Sequence, residues 1–257
     1  MSNSYITVTE IPGEMIPKEQ YLRMAERYCW ASQYAQGKDV LECSCGAGQG
    51  AKLLNSVSNT YTAGDYDDDL VKLSTFHNPN IYFHKFDALQ MPFDDEMFDV
   101  VLVCEAIYYF PKIEVFLKEV NRVLRKNGKV LIVSANPDLF DFNPSKYTYT
   151  YPSVVDMKNY FRATGFKYLS AEGGTEVSSV NFRQKILRPL KFLATKFKLI
   201  PKTMVGKAWL KKLFFGGKFV EMPASIETNN NLGSLNSINL NLNDTKHKVL
   251  YFIGEKR

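Results

Sequence analysis

The 257-residue sequence lacks the segments that mark export or insertion into a membrane. Met1 to Thr9 hold no basic n-region and no apolar run, so no signal peptide is expected. No stretch reaches the roughly 18 uncharged apolar residues that are needed to span a bilayer. The four cysteines have neither the spacing of a disulfide framework nor a Cys or His pair that would complete a zinc site. These absences predict reduced thiols, a cytoplasmic location and no metal site.

Most of the sequence alternates short apolar runs with amphipathic runs, which predicts an α/β fold with a mostly parallel sheet and helices on both faces. The predicted strands are Asp39–Ser44, Thr60–Asp65, Ile81–Lys85, Phe98–Cys104, Val130–Val133, Phe166–Leu169 and Lys248–Gly254. The predicted helices include Pro17–Ala35, Asp68–Phe76, Ile113–Leu124 and Val154–Ala163. The pattern divides the chain into an N-terminal helical cap at 1–36, a core at 37–173, an insertion at 174–246 and a final core strand at 247–257.

A glycine-rich turn follows the first core strand and opens a helix. Gly46, Gly48 and Gly50 let the backbone turn tightly there, with the amides of the helix N-terminus facing a ligand. The same spacing also satisfies the dinucleotide-binding pattern, so an NAD(P)-dependent oxidoreductase stays open as an alternative. Glu42, inside the strand, favours another ligand, because a carboxylate there stabilises ammonium and sulfonium groups and does nothing for a pyrophosphate.

Acidic residues follow or end three successive strands, and the carboxyl ends of parallel strands meet at one crevice. Glu42 belongs to the first of these strands. Asp65 ends the second, where its carboxylate can accept both hydroxyls of a ribose. Asp87 and the amide of Ala88 follow the third, where they can contact an adenine edge. The set predicts a nucleoside cofactor that carries a cationic group.

The stretch from Asp39 to Val133 resembles the core of the class I methyltransferases that use S-adenosylmethionine (SAM), of the type 11 kind. The matching motifs are Glu42-x-x-x-Gly46-x-Gly48-x-Gly50, Asp65, Phe86-Asp87-Ala88, Met91-Pro92-Phe93-Asp94 and Phe98-Asp99-Val100-Val101. Asn127-Gly128 stands where the family often has Pro-Gly-Gly, and the turn is kept. The resemblance implies a Rossmann-like sheet of seven strands, with the last strand inserted antiparallel, and SAM as the cofactor. Its expected binding residues are Glu42, Gly46, Ala47, Gly48, Asp65, Tyr66, Asp87, Ala88 and Cys104.

Methyl transfer from a sulfonium is an in-line displacement that depends on alignment, and oxygen acceptors usually also need a base. Glu105, one residue past the fourth strand, is the candidate base, with binding of the cofactor's amino group as its alternative role. Tyr108 is the second catalytic candidate. Tyr109, Asn136 and Asp138 are the candidates for acceptor contacts. Ordinary aromatic packing remains an equal alternative for the two tyrosines.

Acidic residues are missing from residues 181–220, which hold eleven Lys or Arg in a chain whose net charge is +5. Apolar residues at helical spacing, such as Ile186, Leu190 and Leu193, predict a basic helical lid there, followed by an Asn-rich flexible loop at 228–244. The basic face is either simply solvated, or attracts an anionic acceptor, or rests peripherally on an anionic membrane surface. Nucleic acid is not expected as a partner.

These observations predict a methyltransferase that acts on an oxygen or nitrogen of a small, anionic acceptor such as a nucleotide- or lipid-linked sugar. Segments 21–28, 104–109 and 136–144 also resemble methyltransferases of bacterial glycan and sugar modification. Two alternatives remain open, the NAD(P)-dependent oxidoreductase and a non-catalytic SAM-binding scaffold.

Overall fold

A computed structural model describes residues 5–176, 219–226 and 235–257 of the chain. The helices within these ranges are α1 Lys18–Ala35, α2 Ala51–Val57, α3 Asp68–His77, α4 Ile113–Val123 and α5 Val154–Ala163. The strands are β1 Met15–Pro17, β2 Asp39–Cys43, β3 Thr60–Asp65, β4 Phe83–Lys85, β5 Phe98–Cys104, β6 Leu124–Ala135, β7 Phe166–Glu176, β8 Phe219–Glu221, β9 Asn236–Ser237 and β10 His247–Lys256. The predicted basic lid lies outside the described residues, apart from Phe219 and Val220.

The strands form one central sheet in the order β4-β3-β2-β5-β6-β10-β7-β9. Neighbours from β4 to β6 are parallel, whereas β10 runs antiparallel between β6 and β7. This order confirms the mostly parallel Rossmann-like sheet with its last strand inserted antiparallel. The sheet has eight strands rather than the predicted seven, because the two-residue β9 is added at one edge.

The core fills both faces of this sheet, which is why β5 reads as a continuous apolar run. Residues 100–103 of β5 are nearly inaccessible to solvent. Phe116 of α4 and Met157 of α5 pack in the cluster on one face. Met24 of α1 and Leu53 of α2 pack in the cluster on the other face. The prediction of helices on both faces is therefore confirmed.

The N-terminal region is less helical than expected. Helix α1 begins at Lys18, and β1 before it pairs antiparallel with β8. Residues 5–14, called the N-terminal arm below, hold only the short 3-10 turn Tyr5–Thr7. Pairing of β1 with a strand some 200 residues later cannot be read from local pattern, so the cap was predicted as helix alone. No helix of the described ranges is long and apolar enough to cross a membrane.

The described part of the Asn-rich stretch, residues 235–244, differs from the predicted flexible loop. Asn236 pairs with Gly173 of β7, and its side-chain amide donates to Glu176 at 3.2 Å. Ile238 and Leu240 pack against the main core. Two apolar residues and the hydrogen bonds of the asparagine side chains therefore hold this segment against the sheet. The asparagine-rich composition alone does not indicate such order.

Candidate cofactor and acceptor site

The glycine turn after β2 has a backbone that only glycine adopts easily. Gly46 and Gly48 have φ values of 58° and 75°, in the left-handed region where a side chain is strained. A Cβ added to Gly48 would lie 2.9 Å from both the Asn78 amide nitrogen and the Ser74 Cβ. Ala47 between the glycines is fully buried. The absence of a side chain at Gly48 therefore lets the turn after β2 pack closely against the end of α3.

Asp65, at the end of β3, is bound to this turn. One oxygen of its carboxylate accepts a hydrogen bond from the amide of Gly46 at 3.0 Å, and the other accepts from the amide of Asp67 at 3.0 Å. Burial raises the pKa of Asp65 to about 6, although both amide hydrogen bonds act in the opposite direction. An ionised carboxylate has about four acceptor positions, so it can still accept from a ribose hydroxyl beside these backbone amides.

Glu42 of β2 lies in the interior beside the turn, with 1% of its surface exposed. Tyr28 of α1 donates its hydroxyl to one carboxylate oxygen at 2.9 Å, and Tyr61 of β3 donates to the other. Burial raises the pKa of Glu42 to about 7, against the effect of the two tyrosine hydrogen bonds. The Glu42 carboxylate therefore lies close enough to Asp65 for the two charges to interact, and tyrosines that the motif does not contain hold it in place. Its contact with a cofactor stays a prediction.

The remaining predicted cofactor residues lie around the same edge. The amide of Phe86 donates to the carbonyl of Asp65, which places the turn after β4 beside the end of β3. In that turn Asp87 is exposed and accepts from the amide of Leu89 at 2.8 Å. The other three are Tyr66, which is 57% exposed, Ala88, which is buried, and Cys104, which is partly buried at the end of β5. Their contacts with a cofactor stay predictions.

Glu105 follows β5 in a strained conformation, with a φ of 52°. Its amide donates to the carbonyl of Val133 at 2.8 Å, and this bond holds the turn over β6. One carboxylate oxygen accepts from the hydroxyl of Tyr108 at 2.9 Å. Burial raises the pKa of Glu105, against the effects of Arg27 and Tyr108. Ser44 after the adjacent strand β2 has a similar φ of 56°, so two left-handed residues flank the crevice.

Arg27 of α1 is a charged residue of this site that the sequence motifs do not indicate. Its guanidinium lies 2.6 Å from the carboxylate of Glu10 in the N-terminal arm and 3.9 Å from that of Glu105. Only 11% of the Arg27 side chain is exposed. The partners are 17 and 78 positions away along the chain, and for this reason no local spacing predicts the cluster.

Aromatic side chains extend from Glu105 across the crevice. The rings of Tyr108 and Tyr151 stack with centroids 4.1 Å apart. Tyr109 makes an edge contact with Tyr5 of the N-terminal arm at 5.4 Å, and its hydroxyl lies 3.0 Å from that of Ser145. Tyr108 and Tyr109 thus do pack on other aromatic rings, and they do so beside the candidate base. Tyr5 and Tyr151 are wall residues that the sequence reasoning missed.

Asn136, a predicted acceptor contact, is committed to the chain's own backbone. It is buried, and its amide nitrogen lies 2.8 Å from the carbonyls of Asp244 and of His247. Its oxygen accepts from the amide of Asp138 at 3.0 Å. The side chain therefore joins the end of β6 to the start of β10, which is a structural role and leaves it no free donor for an acceptor. Asp138 is partly buried, with one oxygen near Asn243 and burial raising its pKa, and its acceptor contact stays a prediction.

Comparison with known proteins agrees with this geometry. Residues 41–132, which contain the glycine turn, Asp65, Asp87 and Glu105, match the family described as "Methyltransferase domain". The fold matches a solved SAM-dependent methyltransferase from Archaeoglobus fulgidus with a TM-score of 0.59 at 15% identity, over 93% of this chain and 94% of that one. The same fold is shared by the [4+2]-cyclase SpnF, with a TM-score of 0.53 at 13% identity over 93% of this chain and 82% of that one.

Relatives with higher identity cover a shorter stretch. A probable phthiotriol/phenolphthiotriol dimycocerosates methyltransferase from Mycobacterium ulcerans is 43% identical over 105 residues, which are 39% of this chain and 41% of that protein. A fatty-acid O-methyltransferase from Mycolicibacterium smegmatis is 41% identical over 106 residues, 40% of this chain and 39% of that protein. The chain thus matches about two fifths of the length of these curated relatives.

The core of the chain, residues 41–132, thus matches a methyltransferase domain. The resemblance to the class I SAM-dependent methyltransferases is thereby confirmed, and SAM is the cofactor that this domain implies. The residues present fit that cofactor, because the turn needs glycine and the crevice combines buried carboxylates for a cationic ligand with Asp65 for a ribose.

Proposed function

We propose that the protein is a SAM-dependent methyltransferase that transfers a methyl group to an oxygen of a lipid-bearing acceptor. The observation that carries the first part is the meeting of the glycine turn, Asp65 and Glu42 at the carboxyl edge of the sheet, inside the stretch that matches a methyltransferase domain. The nicotinamide-dependent alternative rested on the glycine spacing alone, and the family match favours methyl transfer over it.

The chain's own residues have separable tasks in this proposal. When bound, SAM supplies an electrophilic methyl group on a sulfonium. Asp65 would accept hydrogen bonds from the ribose, and the turn at Asp87 and Ala88, in which Asp87 is exposed, would contact the adenine. Glu105 would act as the base for the acceptor hydroxyl, and its raised pKa supports this role, because it suits a group that takes up a proton. Tyr108 orients the Glu105 carboxylate through its hydroxyl.

A lipid-bearing acceptor is supported by two lines of observation. Relatives that are 41–43% identical over about 105 residues are named for a lipid, phthiotriol or phenolphthiotriol dimycocerosates, and for a fatty acid. The wall beside Glu105 consists of aromatic rings, among them Tyr108, Tyr109 and Tyr151, which suits an apolar chain or the apolar face of a sugar. A lipid-linked sugar satisfies both the relatives and the acceptor predicted from the sequence.

A transfer assay with tritiated SAM tests this proposal. The protein is incubated with fatty acids, with lipid extracts, with nucleotide sugars and with amines, and label is counted in the products. Label in a lipid product, lost in Glu105→Gln, is the expected result. Label in a nucleotide sugar or an amine would replace the lipid by another acceptor. Label in no product, although SAM binds, would favour the non-catalytic scaffold, and the cyclase that shares the fold shows that such a fold is not always named for methyl transfer.

The basic segment and the location belong to the proposal as well. Residues 181–220 carry eleven cationic and no acidic side chains, which suits peripheral contact with an anionic membrane from the cytoplasmic side. Sedimentation with phosphatidylglycerol vesicles at low and high salt checks this contact. Binding that weakens with salt is expected, and equal binding to neutral vesicles would contradict it.

A further inference from the structure

The ion cluster formed by Arg27, Glu10 and Glu105 contains more carboxylates than guanidinium groups. One guanidinium faces two carboxylates, at 2.6 Å and 3.9 Å, in a place where only 11% of the arginine side chain is exposed. Its Nε is buried and has no hydrogen-bond partner among the described residues. A buried guanidinium normally uses its donors, since an unpaired charged donor is costly. Arg27 therefore has an unused donor and the capacity to bind another carboxylate in place of Glu10, whereas a third carboxylate beside the present two would be repelled.

The position of Arg27 directs that capacity into the crevice. Arg27 precedes Tyr28, whose hydroxyl reaches Glu42, and its guanidinium approaches Glu105 directly after β5. Burial by itself would lower the pKa of Arg27, and the carboxylates of Glu10 and Glu105 outweigh it, so the residue stays charged. A guanidinium binds carboxylates through two parallel hydrogen bonds, a geometry that a single contact to Glu10 does not use.

Glu10 comes from the N-terminal arm, and the rest of that arm is bound across the crevice. The amide of Tyr5 donates to the Asp67 side chain at 2.6 Å, next to Asp65. The side chain of Gln49, in the glycine turn, donates to the carbonyl of Glu10 at 2.7 Å. The carboxylate of Glu10 itself keeps a second partner, Gln20, at 2.7 Å. It can thus leave Arg27 without losing all of its hydrogen bonds.

We propose that Arg27 is a carboxylate-binding residue of the crevice and that Glu10 is an internal competitor for it. A ligand carboxylate takes over the Arg27 guanidinium, and the Arg27–Glu10 contact breaks. The inference rests on the proposed function, because that function supplies two ligands with a carboxylate: the amino-acid part of the cofactor, and a fatty-acid acceptor. The inference adds that removal of the Glu10 carboxylate tightens the binding of a ligand carboxylate. If Arg27 and Glu10 formed only a structural ion pair, this removal would not tighten binding.

Calorimetric titration with three probes tests the proposal. S-adenosylhomocysteine carries the amino-acid carboxylate, 5′-methylthioadenosine has the same nucleoside thioether without it, and laurate is a fatty acid. The variants are Arg27→Gln and Glu10→Gln. Matched controls are Arg23→Gln, which removes an equal charge one helical turn away, and Glu14→Gln, which changes an exposed carboxylate of the same arm.

We expect Arg27→Gln to weaken S-adenosylhomocysteine more than about tenfold and Glu10→Gln to tighten it about fivefold, the size of a modest coupling between two sites. 5′-Methylthioadenosine should bind within about twofold of wild type in both variants, a difference of less than 0.5 kcal/mol. If instead the two substitutions change the affinity for laurate in this way and leave that for both nucleosides unchanged, the carboxylate that Arg27 binds belongs to the acceptor. Both results support the proposal.

The proposal is overturned if Arg27→Gln and Glu10→Gln behave like their controls toward all carboxylate ligands. If Arg27→Gln does not fold, the result for Glu10→Gln decides alone. This variant should fold, because the glutamine side chain keeps an oxygen that can accept from Arg27 or Gln20. Failure of the proposed function gives a different result, since wild-type protein would then bind neither S-adenosylhomocysteine nor 5′-methylthioadenosine.

Discussion

We expect the two buried carboxylates of the crevice, Glu42 and Asp65, to make cofactor binding dependent on pH. Burial raises the pKa of Glu42 to about 7 and that of Asp65 to about 6, above the usual range for these groups. In the proposed site, a cationic cofactor would bind their ionised forms, and the ribose hydroxyls would need Asp65 as an acceptor. Because the protonated forms must lose their protons first, the affinity for SAM should rise with pH through these values and level off above them.

The size of the effect follows from the ionised fractions. Between pH 6 and pH 8, the ionised fraction of Glu42 rises from about one tenth to about nine tenths, and that of Asp65 from about one half to nearly one. Together these changes strengthen binding by about 20-fold, or about 2 kcal/mol. The stability of the free protein changes with pH in the opposite direction to the affinity. The raised pKa values of Glu42 and Asp65 contribute folding stability at low pH, and this stability is lost as pH rises toward 7. The gap between the melting temperatures of free and SAM-bound protein should therefore widen with pH.

Calorimetric titration with SAM at pH 6, 7 and 8, in buffers of different ionisation enthalpy, measures both the affinity and the protons released. Glu42→Gln is the matched variant, since an amide can still bond both Tyr28 and Tyr61. It should retain only the change of about twofold that Asp65 causes. Wild-type affinity that is flat or falls with pH would refute the reasoning, and so would a full 20-fold change in Glu42→Gln.

Three substitutions separate the roles of the turn, the loop after β6 and the base. Gly48→Ala forces a Cβ to 2.9 Å from Asn78 at a φ of 75°, and should cost about 1–3 kcal/mol in the free energy of unfolding measured with urea; an unchanged midpoint would contradict this. Asn136→Ala leaves buried carbonyls without a donor and should cost about 1–3 kcal/mol, while the affinity for S-adenosylhomocysteine stays the same. Glu105→Gln should lower kcat by about 100-fold or more in the transfer assay with SAM at saturating concentration, and wild-type activity would remove Glu105 as the base.

The sheet could be predicted from the sequence because its signals are local. β5 was predicted with its observed bounds, since strands buried on both faces are continuous apolar runs. Asp65 and the glycine turn were predicted for a related reason, because the carboxyl ends of neighbouring parallel strands meet in space. β7 was predicted too short, as its second half contains Gly173 and Gly174 and is ordered by pairing with β10.

The missed parts of the site depend on contacts between distant positions. Arg27 reaches Glu105 only because α1 packs across the sheet, and Tyr5 reaches Tyr109 only because the N-terminal arm returns over the crevice. Asn136 was predicted to touch an acceptor because it follows a strand at the right edge. Its buried hydrogen bonds to residues 244 and 247 show that position alone does not separate a binding residue from one that holds a loop.

The measurement to make first is calorimetric titration of the purified protein with SAM, S-adenosylhomocysteine and NAD, for wild type and for Asp65→Ala. Micromolar binding of the first two ligands, lost in Asp65→Ala, with no binding of NAD, is the expected result. Absence of SAM and S-adenosylhomocysteine binding to folded wild-type protein would contradict the assignment of this crevice to SAM, and binding of NAD in their place would make the protein a candidate oxidoreductase.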